Sequence, residues 1–252
     1  MRYVHLVKNL SNWWLHLACK FGLTRADPLI FRTRKGVSVA VPRRLLHEFK
    51  EIFLEECYVS RLGVPVPEKP TIIDIGANAG FFTLFAASRY PGATILAYEP
   101  IESNYKQLAR NVLLNETHHI RCYQKAVYGK RGEISLRYDA RDSYTTSATI
   151  FNAPDTRLHA VTVPCLTLPD ILEEHHLSRC DLLKMDCEGA EYDILRLCPD
   201  HRLRRVSQMA IEVHGGKEPY QNIRSLAGFL SSRGFKTSTH GDLLWAWQMA
   251  PA

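Results

Sequence analysis

Residues 71–83 read Thr-Ile-Ile-Asp-Ile-Gly-Ala-Asn-Ala-Gly-Phe-Phe-Thr. The first five residues form a short, apolar and largely β-branched run, which predicts a buried strand. Gly76 and Gly80 then permit a tight turn, and the apolar residues after them predict a helix that begins at Phe81. A strand, a glycine turn and a helix in this order are the building unit of an α/β fold.

Strand and helix patterns continue to alternate along the chain. This alternation predicts a mostly parallel sheet with helices on both faces. Further strands are predicted over residues 93–98, 120–127, 133–138, 161–165, 181–186 and 206–213, with two closing strands within residues 237–247. Helices are predicted over residues 43–62, 81–89, 105–112, 188–197 and 220–230.

The length and composition are those of an ordinary globular protein. Of the 252 residues, 46% are hydrophobic and 23% are charged, which excludes a disordered tail protein, a collagen and a coiled coil. No run of about 18 uncharged apolar residues occurs, so we expect no transmembrane helix. An α/β fold of this length is usually one unit. We therefore predict one α/β domain over residues 70–252, preceded by a basic helical or extended cap over residues 1–69.

Basic charge is concentrated near the start of the chain. Residues 1–50 hold ten basic and two acidic side chains, a net charge of +8, so the rest carries −2 within the total of +6. Apolar and basic residues stand together in residues 1–24, which permits peripheral contact with an anionic membrane. A cap packed on the sheet is the alternative. The residues concerned are Trp13, Trp14, Leu15 and Leu17, with Arg2, Lys8 and Lys20.

The cysteines suggest a compartment. The chain has seven of them, at irregular spacings and without a CxxC pair. This pattern indicates neither a disulfide framework nor a zinc site. Scattered free thiols are typical of a reducing cytosol, so we expect a cytoplasmic protein, with membrane association left open.

Carboxylates stand at the predicted carboxyl ends of two strands, where α/β sheets bind their ligands. Asp74 lies at the end of the first strand, and Glu99 ends the next, 19 residues after Gly80. A carboxylate at Glu99 can accept hydrogen bonds from both hydroxyls of a ribose. The spacing Gly76-x-x-x-Gly80 differs from the GxGxxG of dinucleotide-binding folds, which excludes a nicotinamide oxidoreductase. Together these residues indicate a nucleoside ligand.

Four motifs in order make the chain recognisable. They are Ile73–Thr83, Tyr98–Pro100, the run Asp-Leu-Leu-Lys-Met-Asp-Cys-Glu-Gly-Ala-Glu over residues 181–191, and Glu-Val-His over residues 212–214. Residues 70–215 thereby resemble the FkbM family of S-adenosylmethionine-dependent methyltransferases. The resemblance implies a Rossmann-like methyltransferase fold with a seven-stranded sheet, and S-adenosylmethionine as cofactor. It also implies O-methylation of a hydroxyl on a sugar, a glycolipid or polysaccharide, or a natural product.

The resemblance further assigns roles by position. It implies that one loop lies under the methionine part of the cofactor, that an acid holds the ribose and that two residues flank the adenine. The loop residues are Asp74, Gly76, Asn78 and Gly80. The acid at the ribose is Glu99, and the two residues beside the adenine are Pro100 and Ala126.

Methyl transfer to a hydroxyl needs alignment, exclusion of water and removal of a proton. His214 is the predicted base, because imidazole titrates near neutral pH and His214 follows a strand at the cleft. Asp186 at the neighbouring exit is predicted to orient His214, touch the substrate or contact the methionine amine. Asp186, Glu212 and His214 are also a possible O,O,N set for Mg²⁺ or Mn²⁺, but we expect no metal. For Glu191 we expect only an interaction with a helix dipole.

Two other classes of function stay open at this point. A methyltransferase of RNA or another nucleic acid would suit the basic N-terminal segment. The rest of the chain is slightly acidic and lacks an Asn-Pro-Pro-Tyr motif, so we expect a small-molecule or saccharide acceptor instead. A non-catalytic nucleoside-binding module would keep the pocket without turnover. Residues 139–160 are polar, and the loop Asp142–Ser147 within them is interpreted as an acceptor-binding lid or as a mobile connection.

Overall fold

Residues 2–115, 119–139, 144 and 159–248 are described by a computed structural model. Its helices are α1 Arg2–Asn9, α2 Trp14–Lys20, α3 Leu46–Phe53, α4 Phe81–Arg89, α5 Glu102–Leu113, α6 Leu168–Glu174, α7 Glu191–Arg196, α8 Asp200–Leu203 and α9 Ile223–Ser232. Its strands are β1 Leu29–Arg32, β2 Ser38–Val41, β3 Thr71–Ile75, β4 Thr94–Tyr98, β5 Ile120–Tyr123, β6 Ala126–Val127, β7 Gly132–Tyr138, β8 His159–Leu166, β9 Leu182–Met185, β10 Gln208–Glu212, β11 Lys236–His240 and β12 Leu243–Trp247.

Seven strands form the main sheet, in the spatial order β11-β12-β10-β9-β3-β4-β5. The neighbours from β10 to β5 are parallel, and only β12 runs antiparallel to both of its neighbours. This confirms the predicted Rossmann-like, mostly parallel sheet of seven strands. In the register, Ile75 pairs with both Tyr98 and Met185. The exits of β4, β3 and β9 therefore lie side by side.

Alternate residues of the central strands face two separate cores. Ile73 of β3 and Leu183 of β9 belong to the core that also contains buried residues of α6, α7 and α9. Ile72 and Leu182, one position earlier, belong to the core formed with α3 and α4. Because successive side chains of a strand point to opposite faces, this confirms helices on both faces of the sheet.

The N-terminal segment packs on one face of that sheet. Leu6 of α1 and Leu10, which directly follows this helix, are buried in the same core as Ile72 and Ile95 of the central strands. The indole Nε1 of Trp245 in β12 donates a hydrogen bond of 2.8 Å to the carbonyl oxygen of Tyr58. These contacts join residues 1–69 to the sheet, and the division at residue 70 stays a prediction. In the described part of the chain, no helix has the length and apolar character needed to cross a membrane.

Several predicted boundaries were wrong. The helix predicted over residues 43–62 ends at Phe53, and Glu56 adopts a left-handed φ of 52° that no α-helix contains. The strand predicted over residues 120–127 is two strands, because β6 leaves the main sheet and pairs with β8. The helix predicted from residue 188 begins at Glu191, since Glu188 and Gly189 have φ values of 53° and 106°.

A second sheet stands beside the first, with the order β6-β8-β7. It carries Ala126, Leu136 and Val163 in a small core with Ile101, directly after the exit of β4. Of the predicted lid Asp142–Ser147, every residue except Tyr144 lies outside the described residues.

The shared core makes a stability prediction. Leu10, directly after the end of α1, is completely buried, whereas Leu23 is 79% exposed. Leu10→Ala should lower the free energy of unfolding by about 2–5 kcal/mol, because a cavity opens in the core. Leu23→Ala is the matched control and should change it by less than about 0.5 kcal/mol. Urea unfolding followed by circular dichroism measures both, and equal effects would show that α1 does not share the core of the sheet.

Candidate active site

The glycine turn after β3 allows two strand exits to touch. Gly76 has a φ of 73°, and a Cβ on it would lie 1.7 Å from the carbonyl oxygen of Asp186. No side chain fits at that distance, so a residue other than glycine would push the exits of β3 and β9 apart. Asn78 in the same turn also has a positive φ, 48°. Its Oδ1 atom is buried without a hydrogen-bond partner in the described residues.

A buried lysine holds this turn from below. Lys184 of β9 is 3% exposed, and its Nζ lies 3.2 Å from Oδ1 of Asp74 and donates to the carbonyl oxygen of Gly76 at 2.7 Å. The second carboxylate oxygen of Asp74 accepts a hydrogen bond of 2.6 Å from Thr83. Burial acts against the lysine charge, but Asp74 and Asp186 raise its pKa above the usual value. Asp74 therefore supports the turn from the interior of the protein.

The nucleoside cleft, as we name it, opens above the turn and between the two sheets. About 70 Å³ of it is accessible to a water molecule. Most of the predicted cofactor residues line it: Gly76, Asn78, Glu99, Pro100, Ala126 and Asp186. Asp74, Gly80 and His214 are not among its described lining residues.

Glu99 stands at the exit of β4, and its carboxylate can accept more hydrogen bonds than the two that it receives from the backbone. Its Oε2 accepts a hydrogen bond of 2.8 Å from the amide of Asn78, and its Oε1 accepts one of 2.9 Å from the amide of Ile101. Burial raises the pKa of Glu99 to about 7, against these two hydrogen bonds, which lower it. Each carboxylate oxygen has about two acceptor sites, so both can also receive a hydroxyl. The site thus fits the two hydroxyls of a ribose.

A second cavity, which we name the acidic cavity, adjoins the nucleoside cleft. The two share Gly76, Asn78, Asp186 and Glu188. The walls of the acidic cavity also include the carboxylates of Glu48, Glu51, Glu212 and Asp242. Asp186 therefore stands where a ligand in one cavity would meet a ligand in the other.

Tyr58 connects two acids of the acidic cavity. Its hydroxyl is 2.7 Å from Oε2 of Glu212 and 3.1 Å from Oδ2 of Asp186. Burial, together with the charges of Asp186 and Glu212, raises the pKa of Tyr58 well above its usual value, which keeps the phenol protonated. Tyr58 belongs to the N-terminal segment, and no pattern in the sequence predicts it as a site residue. In the sequence it is one aromatic residue within the helix predicted over residues 43–62, which by itself indicates no function.

His214 is held by a buried carboxylate. Its Nδ1 lies 2.8 Å from Oε1 of Glu191, which is fully buried, and its Nε2 lies 3.8 Å from Asp186 and 3.6 Å from Glu188. Burial alone would lower the pKa of His214, but the hydrogen bond and charge of Glu191, with those of Glu188 and Asp186, raise it to about 10. His214 is therefore an imidazolium at neutral pH. Glu191 is the partner of His214, in addition to starting α7.

Glu191 also holds the turn that replaces the predicted start of the helix. Its Oε1 accepts a hydrogen bond of 3.2 Å from the amide of Cys187, and its Oε2 accepts one of 2.9 Å from the amide of Gly189. This turn places Glu188 in the cleft. Burial raises the pKa of Glu188 to about 7, while the charge of His214 lowers it.

The proposed metal ligands do come together. Asp186, Glu212 and His214 each offer a ligand atom, and these atoms lie within 4.8 Å of one another. The O,O,N arrangement suits Mg²⁺ or Mn²⁺. Positive charge is already supplied to these acids by Lys184 and by the His214 imidazolium. The expected absence of a metal stays a prediction.

The fold and the site together define a class of protein. A Rossmann-like sheet with a carboxylate at the exit of its second strand, and a glycine turn without the dinucleotide spacing, is a nucleoside-binding enzyme scaffold of the methyltransferase type. Comparison with known proteins agrees with this class. The methyltransferase FkbM domain family matches residues 74–237.

Several relatives cover most of the chain. "Methyltransferase 1" of Beauveria bassiana is 31% identical over 202 residues, which is 74% of this chain and 79% of that protein. The 31-O-demethyl-FK506 methyltransferase FkbM of Streptomyces tacrolimicus is 26% identical over 225 residues, 79% of this chain and 84% of that protein. The crystal structure of methyltransferase FkbM from Methylobacillus flagellatus superposes with a TM-score of 0.51 at 14% identity, covering 81% of this chain and 54% of that one.

The chain belongs to the FkbM family of methyltransferases. It is a methyltransferase, and its cofactor is S-adenosylmethionine. Glu99 and the turn at Asn78 are the residues of the nucleoside cleft that fit the cofactor, since Glu99 has free acceptor sites and Asn78 has an unsatisfied buried oxygen.

The pairing of His214 with Glu191 makes a spectroscopic prediction. Glu191→Gln removes the adjacent charge and weakens the hydrogen bond, so the pKa of His214 should fall from about 10 toward the ordinary histidine value near 6.5. An NMR titration of the His214 ring, assigned with His214→Ala, measures the change. Glu188→Gln is the matched control and should lower the pKa less. A pKa that stays the same in Glu191→Gln would refute the pairing.

Proposed function

We propose that this methyltransferase transfers the methyl group to a hydroxyl of a sugar, a glycolipid or polysaccharide, or a natural product. The observation that carries the proposal is that Asp186 and its neighbours line both the nucleoside cleft and the acidic cavity. An acceptor in the acidic cavity would meet the cofactor only at this junction. When bound, S-adenosylmethionine supplies a methyl group on a positively charged sulfonium.

The chemistry of the acidic cavity supports a hydroxylated acceptor. Glu48, Glu51 and Asp242 line its walls. Ionised carboxylates only accept hydrogen bonds, so they suit ligands that present several hydroxyl donors, as saccharides do. The relative from Streptomyces tacrolimicus is named for methylation at an oxygen, which also supports O-methylation here.

The chain must align the acceptor and accept its proton. Asp186 lines both cavities and is a carboxylate that can take the proton as the oxygen attacks. His214 is not among the described residues that line either cavity. With its pKa raised to about 10, it carries its own proton at neutral pH. His214 as the base stays a prediction of the sequence, and the geometry favours a different division of roles.

We assign proton acceptance to Asp186 and positioning to His214. The His214 imidazolium, fixed by Glu191 on one side, faces Asp186 on the other. Tyr58 places its hydroxyl against the second oxygen of Asp186. These two contacts fix the carboxylate, which leaves its orientation little freedom before the acceptor arrives.

Cofactor binding tests the nucleoside cleft directly. Glu99→Gln should weaken binding of S-adenosylmethionine and S-adenosylhomocysteine by about 1–3 kcal/mol, because the amide cannot accept both ribose hydroxyls as the carboxylate can. Glu102→Gln, exposed at the start of α5, is the matched control and should bind as the wild type does. Isothermal calorimetry measures both variants. Binding of NADH in place of the two nucleosides would contradict the assignment.

Turnover and its pH dependence separate the two residues. Asp186→Asn should reduce methyl transfer by about 10²–10⁴-fold, and His214→Ala by about 10–100-fold. Since His214 acts as a cation, the wild-type rate should fall as the pH rises through about 10, where the imidazolium loses its proton. The assay follows labelled methyl groups from S-adenosylmethionine into fractions of a cell extract.

A rate that instead rises toward pH 10, and no longer does so in His214→Ala, would make His214 the base. Unchanged affinity of His214→Ala for S-adenosylhomocysteine controls for folding.

EDTA should leave the wild-type rate unchanged. Loss of activity that Mg²⁺ or Mn²⁺ restores would show that the O,O,N set of Asp186, Glu212 and His214 holds a metal.

A further inference from the structure

Helix α2 presents an aromatic face to solvent. Trp14 is 58% exposed, and Phe21, which directly follows the helix, is 69% exposed. The two residues are seven positions apart, which places them on the same side of the helix, and the half-buried Leu17 lies between them. Leu23, two residues further on, is 79% exposed. We name Trp14, Leu17, Phe21 and Leu23 the α2 outer face.

The opposite side of α2 is anchored, so the outer face cannot turn inward. Leu15 and Cys19 pack against the core that α1 and α3 share with the sheet, and His16 is buried. After the helix, the guanidinium of Arg43 donates a hydrogen bond of 2.9 Å to the carbonyl oxygen of Ala26. Contacts to the folded domain therefore hold both the inner side of α2 and the segment that follows the helix.

The segment that carries the outer face is basic. Residues 1–26 contain no aspartate or glutamate. Lys8, Lys20 and Arg25 are exposed basic residues of that segment. The body of the protein after residue 50 is slightly acidic, so the basic charge is local to the segment that carries the outer face.

We propose that the α2 outer face is a docking surface for an anionic lipid bilayer. Aromatic and aliphatic side chains that stand on the apolar side of a short surface helix enter the boundary between headgroups and acyl chains. Lysine and arginine beside them are attracted to anionic headgroups. The protein would lie on the bilayer, with α2 parallel to its surface. Trp13 and Leu15, which pack inward, take no part.

This surface suits lipid better than nucleic acid. The apolar residues stand at its centre, and single strands of nucleic acid require a positively charged groove that follows the backbone. A few separate cations around an apolar patch are the arrangement of interfacial helices. Binding to RNA is therefore kept as an outcome that the experiment can report.

The experiment uses the full chain and vesicles of two compositions. One is phosphatidylcholine alone, and the other contains roughly one third phosphatidylglycerol. Co-sedimentation measures binding, and the emission of the exposed Trp14 should shift to shorter wavelength when it enters the bilayer. We expect binding to the anionic vesicles only, weakened by added salt.

Matched variants assign the binding to the outer face. Trp14→Ser/Phe21→Ser should raise the lipid concentration for half-binding by about tenfold or more, and Lys8→Glu/Arg25→Glu should do the same. Leu113→Ser/Leu114→Ser removes exposed leucines at the end of α5 and should bind as the wild type does. Thermal unfolding and S-adenosylhomocysteine affinity should be unchanged in all three, which separates this proposal from the proposed function.

Two results would overturn the proposal. One is the absence of binding to either vesicle, and the other is binding that Trp14→Ser/Phe21→Ser leaves intact. Salt-sensitive binding to a homopolymeric RNA that competes with the vesicles and survives the same substitution would assign the basic segment to nucleic acid instead.

Discussion

The ion pair between Lys184 and Asp74 is the interaction on which the site depends. It joins two neighbouring strands of the sheet below the glycine turn, and the same ammonium binds the carbonyl oxygen of Gly76 and lies 3.7 Å from Asp186. A buried charge needs both a partner and hydrogen bonds, and removal of either partner leaves an uncompensated charge. The geometry of the nucleoside cleft and of its junction with the acidic cavity thus rests on one lysine in the middle of a strand.

A second constraint is the excess of carboxylates above that lysine. Asp186, Glu188, Glu191 and Glu212 converge near His214 and Lys184, and burial raises the pKa of Glu188 and Glu212. Like charges held this close favour protonation of some of their members or the approach of a cation. The cofactor carries a sulfonium, and a cation bound beside these acids would relieve their repulsion. Electrostatic attraction of this kind assists a positively charged ligand over a neutral one.

The N-terminal segment serves the site as well as the fold. Residues of α1 and α3 complete the core on one face of the sheet, and the chain then delivers Tyr58 between Asp186 and Glu212. Tyr58 is tied in turn to the last strand through Trp245. The acidic cavity is consequently built from both ends of the chain and from the middle of it. The predicted division at residue 70 describes the pattern of the sequence, and the site uses residues from both sides of it.

The sequence by itself determined the fold class, the succession of the central strands along the chain and most of the residues that were predicted for the nucleoside cleft. Period-two and period-3.6 patterns are local, and the residues at the exits of parallel strands meet at one edge of the sheet whatever the connections are. Glu99 and Asp186 could therefore be assigned to the site from their positions alone.

Only the tertiary structure decided which charged groups pair. Asp74 proved to be buried with Lys184, and Glu191 proved to hold His214, because pairing depends on side-chain direction and burial across distant segments. Tyr58 could not be predicted as a site residue, since its contacts are more than a hundred residues away in the chain. The protonation of His214 followed from those pairings and from no property of the histidine itself.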